Sequence, residues 1–145
     1  MPSFRNASDL NAIFVRLDRL TETMSPTWGR FTPARMLAHM SDSCRMALGE
    51  LAVKPMTHPV IGSFPFKQLI IYLLPFPKNS PTAPEIIART PEAFDVERAQ
   101  LRALIARLDG HTGSRPHPLF GQLSNDEWGV LGYRHLDHHL RQFGV

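Results

Sequence analysis

The stretch YRHLDHHLRQF (133–143) carries His135, His138 and His139, three of the seven histidines in the chain. On a helix turning about 100° per residue, positions 128, 135, 139 and 142 fall within about 60° of arc. That arc holds Trp128, His135, His139 and Gln142, with Leu131 and Gly132 beside it. Trp128 and Leu131 mark it as the buried face, so His135 and His139 are expected to point inward together. His138 lies about 100° from His139, toward the boundary, and Asp137 is expected on the opposite, solvent side.

Two histidines at i and i+4 on an inward face have the spacing that chelates one divalent metal ion. Without a metal, four ring nitrogens would need other partners in an apolar core, and buried polar groups are rarely left unpaired. The third ligand is expected from another helix, where His39 lies in MLAHMSDS on an arc with Met36, Met40, Ser43 and Ala47. Gln142 has two readings: a hydrogen bond to a metal-bound water or substrate, or one to the outer nitrogen of a ligand histidine. His117, in RPHPLFGQLS, precedes the last helix and is either a turn residue or part of a pocket mouth. His58 and His111 sit in loops and are expected in solvent. The zinc-protease pattern H-E-x-x-H is excluded, because Leu136 stands where the glutamate would. No acidic residue of the last-helix motif shares the inward arc, so no general base is identified.

Four helical segments are expected to position these side chains. The first runs from about Ser8 to Met24, with Leu10, Ile13, Phe14, Leu17 and Leu20 on one stripe, and ends at SPTWG. The second starts at Thr32-Pro33, an N-cap followed by a proline whose missing N–H costs nothing there, and continues to about Leu51. The third repeats the Thr-Pro start at Thr90-Pro91, with Glu92 in its first turn, a stripe from Phe94 to Leu108, and Gly110 as its stop. The fourth opens at Ser124, which has capping-box spacing to Glu127, and runs from about Asn125 to Phe143. Between the second and third lies a proline-rich connection (52–89) with one short helical candidate near 66–74. A connection this long can cross a bundle and join parallel neighbours. The expectation is a single all-α domain over 1–145, a four-helix bundle with a long crossover between helices two and three.

Composition sets limits on partners. A net charge of +3 without any basic block argues against nucleic-acid binding. QLIIYLLPF (68–76) is apolar but far short of the ~20 residues a spanning helix needs. It reads as a cover on the bundle or a homodimer contact. The single cysteine, Cys44, excludes an internal disulfide and is expected as a small buried side chain, consistent with a cytoplasmic protein.

WGRFTPARMLAHM (28–40) and YRHLDHHLRQFG (133–144) together resemble the DinB/YfiT-like superfamily of metal-binding four-helix bundles. The H-x-x-H-H-x-x-Q order of the second stretch is similar to that family's last-helix signature, and the longer HPLFGQLSNDEWGVLGYRHLDHHLRQFG resembles a subgroup named only as a domain of unknown function. The resemblance implies one ligand from the second helix and two from the last, which here are His39, His135 and His139. It also implies either a hydrolase or a thiol-dependent S-transferase, acting on a small-molecule substrate with a low-molecular-weight thiol as the second partner in the latter case. A non-catalytic metal-binding or stress-related module is the alternative. The chain has HHLRQ where the family commonly has H-H-R-G-Q, a difference that leaves the ligand positions intact.

Three neutral imidazoles would leave a divalent ion its full charge and at least one open position. Such an ion lowers the pKa of bound water to about 7 or stabilises a thiolate. Zn, Ni and Fe all accept imidazole; Zn or Ni is the expectation.

Overall fold

The computed structural model describes residues 1–56, 58–109 and 116–145, with the side chain of Asp109 excepted. His111 and Gly110, expected as a solvated loop residue and a helix stop, lie outside the described residues. The helices are α1 (Ala7–Arg19), α2 (Pro33–Ala47), α3 (Phe66–Tyr72), α4 (Phe94–Asp109) and α5 (Asn125–Gln142), with a 3₁₀ turn at Pro84–Ile86. No strand occurs among the described residues.

Local chemistry sets most of the boundaries. Asn6 caps α1 by accepting the Asp9 N–H, and Thr32 caps α2 by accepting the Arg35 N–H, with Pro33 in the first turn. At α5 both halves of the capping box form: Ser124 Oγ accepts the Glu127 N–H, and Glu127 accepts the Ser124 N–H.

Three expected boundaries are corrected. α1 stops at Arg19 rather than near Met24, because Leu20 turns into extended backbone and buries its side chain in the core. α2 ends at Ala47 rather than near Leu51, where Gly49 takes a φ of 77° that favours glycine. α4 does not start at Thr90-Pro91 but at Phe94. The N–H of Glu92 is taken by the buried Glu97 carboxylate, which also holds Arg89, so a tertiary ion pair overrides the local cap.

Side-chain pairings reveal the topology. From α2 to the region of α4 the partners advance together, Asp42 to Arg89, Arg45 to Gln100 and Glu50 to Arg107, so these helices run parallel. From α2 to α5 they run opposite ways, because His39 meets His135 while Phe31, earlier in the chain, meets His139. α1 and α5 are parallel: Phe4 N–H donates to Gly129 O and Arg16 pairs with Asp137. The order is therefore up, down, down, up, and the long connection joins the two parallel inner neighbours α2 and α4, as expected.

The main core contains Ile13, Leu17, Met36, Leu37, Met40, Leu101, Ile105, Leu136 and Leu140. Gly132 is needed there, since a Cβ at that position would lie 2.7 Å from the Phe4 ring. Cys44 is buried as expected, and burial pushes its thiol up to about 12. α3 covers the start of α5: Ile71 packs with Phe120, Leu123, Val130 and Leu131, and Arg134 caps the end of α3 by donating to the carbonyls of Ile70, Ile71 and Leu74. Leu73 and Leu74 remain exposed. Among the described residues, no helix is long and apolar enough to cross a membrane.

Candidate metal centre

α5 presents His135 and His139 one turn apart, and antiparallel α2 brings His39 against them. The three Nε2 atoms converge: His39 lies 3.1 Å from His135, and His139 lies 3.2 Å from His135. All three ligand atoms are within 4.8 Å of one another, and no fourth His, Cys, Asp or Glu joins them among the described residues.

The outer nitrogens fix the tautomers. His39 Nδ1–H donates to the Ile86 carbonyl at 3.0 Å, and His139 Nδ1–H donates to Gln142 Oε1 at 3.0 Å. With those protons outside, both Nε2 atoms turn lone pairs inward. His135 could offer an Nε2–H to one of its neighbours but not to both, so at least one pair of lone pairs faces itself. Protonation does not relieve this. Burial lowers the pKa of each ring, well below its ordinary value for His135 and to about 3 for His139, and for these two the neighbouring imidazoles add to the effect. The set is thus three neutral donors aimed at one point, and a small cation fits it.

Gln142 extends this order outward. Its amide oxygen accepts from His139, and its amide nitrogen donates to the Trp28 carbonyl at 2.7 Å. Both ends are occupied, which favours the reading of Gln142 as partner of a ligand's outer nitrogen. Gly29 permits the close approach, having a φ of 75° and no Cβ, which would sit 2.7 Å from Gln142 Nε2. The Thr27 N–H and hydroxyl both donate to the Gln142 carbonyl, tying the loop before α2 to the end of α5.

Aromatic rings enclose the histidines. Phe31 lies 5.3 Å from His39 and 5.5 Å from His139, and Phe76 lies 6.2 Å from His135. His138 stands at the edge as expected, half-buried between Trp28 and Phe76. Alongside lies a largely apolar cavity of about 690 Å³, with the three histidines in its wall and Trp28, Phe31, Met40, Phe76, Trp128 and Leu131 among its lining.

Other expectations meet mixed outcomes. His58 is exposed, as expected. His117 is both things at once, a turn residue whose Nδ1 accepts the N–H groups of Leu119 and Phe120, and part of the cavity lining. Asp137 is not in solvent: it pairs with Arg16 at 2.5 Å and with Arg141, which binds it from the exposed side. Arg141 thereby points away from the cavity. Leu136, at the position of the zinc-protease glutamate, is fully buried in the core. The Ile86 carbonyl and the Phe31 and Phe76 rings were not anticipated. A backbone acceptor leaves no trace in residue type, and isolated aromatics outside the helices, Phe31 before α2 and Phe76 in the crossover, carry no periodic signal.

The family model for the DinB superfamily matches residues 6–143. No curated protein and no solved structure matches the chain.

Proposed function

The chain belongs to the DinB superfamily, and on that premise we propose that it is a metal-dependent enzyme holding one divalent ion, Zn or Ni, on His39, His135 and His139. The observation that carries this reading is the convergence of three neutral imidazole Nε2 atoms on the wall of a cavity with no fourth His, Cys, Asp or Glu beside them among the described residues. A structural site would close the coordination sphere; three ligands leave a position for water or substrate. When bound, such an ion supplies a Lewis acid that activates water or a thiol. The protein's own part is to lock the ring tautomers through Ile86 and Gln142, keep bulk water away with Phe31 and Phe76, and receive an apolar substrate.

Two reactions suit this arrangement: hydrolysis, and transfer of a small thiol to an electrophilic substrate. No carboxylate joins the histidines among the described residues, which favours a nucleophile activated by the ion over one activated by a side-chain base. The reading places the enzyme in the cytoplasm. Metal analysis of protein purified without a histidine tag should give about one divalent ion per chain. A content near zero after reconstitution would overturn the site, and a content near two would mean further ligands, with His117 first to be tested. Electrophile turnover only when a low-molecular-weight thiol is added identifies the transferase; turnover in water alone identifies the hydrolase. No turnover by the loaded protein across both substrate panels would favour the non-catalytic module.

A further inference from the structure

We propose that the end of the cavity at His117 and Trp128 is a subsite for an oxygen acceptor, a carbonyl or carboxylate, on an elongated apolar ligand. This deepens the reading of the cavity as a substrate site, and rests on it for what the ligand meets at the other end.

His117 Nδ1 accepts two backbone N–H groups, from Leu119 at 3.1 Å and Phe120 at 3.3 Å. A ring nitrogen that accepts carries no proton, so the neutral imidazole has its proton on Nε2. Burial pushes the pKa of this ring down to about 4, which keeps it neutral at pH 7. Its Nε2–H has no acceptor among the described residues. Beside it, 5.3 Å between ring centroids, stands Trp128, whose buried Nε1–H also lacks an acceptor among the described residues. A buried donor left unpaired is destabilising, and an incoming acceptor relieves it. Here the buried Trp128 N–H and the N–H of the partly buried His117 ring stand side by side without acceptors among the described residues in a wall that is otherwise mostly apolar, and both rings line the cavity.

Both donors are neutral, so the complementary group is an oxygen acceptor without any need for a full charge. Trp128 precedes His135 on the same face of α5 by two helical turns, about 10 Å. Leu131 lines the cavity between those levels. The ligand therefore has an apolar body of about that length, with its acceptor at His117 and Trp128 and its opposite end at the three histidines.

The test uses metal-free, chelator-treated full-length protein and two eight-carbon probes, 2-octanone and octanoate, with binding measured by calorimetry. His117→Asn keeps an oxygen to accept the turn N–H groups and keeps an N–H donor. His117→Asp keeps the oxygen and loses the donor, and Trp128→Phe removes the second N–H. We expect 2-octanone affinity to fall tenfold or more in His117→Asp and in Trp128→Phe, and to stay within threefold of wild type in His117→Asn. Octanoate following the same order adds carboxylates to the ligand class; 2-octanone alone doing so restricts the class to carbonyls. Equal losses in His117→Asn and His117→Asp would show a role in the turn only and overturn the subsite. Undiminished binding in every variant, or no binding of either probe to wild type, would overturn it equally. Metal uptake by reconstituted wild type is measured in parallel, and a wild type that takes up no metal on reconstitution yet shows the expected order for the probes would overturn the metal reading while leaving the subsite standing.

Discussion

Helix α2 carries two buried polar clusters less than a turn apart, and they are built on opposite principles. Toward α4, Asp42 meets Arg45 at 2.6 Å and Arg89 at 3.2 Å, while Arg89 meets Glu97 at 2.5 Å. Arg45 also bonds Gln100, and Glu97 also accepts the Glu92 N–H. Burial would raise the Glu97 carboxyl, but the hydrogen bonds from Arg89 and Glu92 outweigh it and hold the group below its ordinary pKa. Opposite charges answer one another there, and the cluster is complete as it stands. Toward α5, His39 joins two groups of its own kind, with His135 Nε2 between the Nε2 atoms of His39 and His139 and unable to donate to both. The first cluster is satisfied by the chain alone; the second is one that could hold a metal ion. A closed polar cluster holds a fold together, whereas an open one of matched donors specifies a ligand.

The largest effect expected from this contrast is on metal binding. Replacing His39, His135 or His139 with Ala should weaken metal affinity about a thousandfold, about 4 kcal/mol, while the metal-free fold persists by circular dichroism. Competition with a chromophoric chelator measures it, and unchanged affinity in folded His39→Ala would require a different third ligand. Glu97→Ala should do the reverse. It leaves Arg89 without its main partner and should cost about 3 kcal/mol of stability in urea unfolding, with metal affinity nearly unchanged. A stable Glu97→Ala protein would mean the charged cluster is dispensable and the contrast misplaced.

Acid should separate the two clusters next. The folded pKa of His139 is about 3, against about 6.5 in the unfolded chain. Below pH 6.5 the unfolded chain takes up a proton that the folded one does not, so stability of metal-free protein falls as pH falls. This imidazole alone should remove about 2 kcal/mol by pH 5. Glu97, with its lowered pKa, loses its contribution only at still lower pH, below the ordinary carboxyl range. Urea midpoints between pH 7.5 and 5 in chelator should therefore decline, and decline less in His139→Ala. A flat profile would contradict the burial of neutral imidazole. The smallest effects belong to the periphery: Gln142→Leu should weaken metal binding about tenfold by freeing the His139 ring, and His138→Ala less than threefold. Equal losses from His138→Ala and His135→Ala would mean the inward face of α5 is wrongly assigned.

The open cluster was easier to read in the sequence than the closed one. His135, His139, Trp128 and Leu131 share an arc fixed by helix geometry alone, and Thr32-Pro33 and Ser124–Glu127 anchor the helices that carry the histidines. Those signals are local, and at these two helices no contact from elsewhere overrides them. The charged cluster draws Asp42, Arg89 and Glu97 from three separate places, and each by itself looks like a residue of a solvated face. The same blindness hid the start of α4: Thr90-Pro91 offers the signal that Thr32-Pro33 offers, and only the capture of Arg89 and the Glu92 N–H by the Glu97 carboxylate distinguishes them. Asp137 was misplaced for a related reason, since the last-helix pattern says which side it faces but not that Arg16 waits there. Gln142 needed the structure, because its two roles differ only in the position of Trp28.

The up-down-down-up path has one more consequence. His39 and His135 stand 96 residues apart in the chain, so an ion held by both would be a removable cross-link around most of the molecule. Closing a loop of that size permanently restricts an unfolded chain by roughly 5 kcal/mol in the polymer description of a covalent bridge. A reversible clip acts through mass action, adding stability in proportion to the logarithm of free metal over its dissociation constant. The lifetime of this protein against unfolding and proteolysis would then follow the metal supply around it.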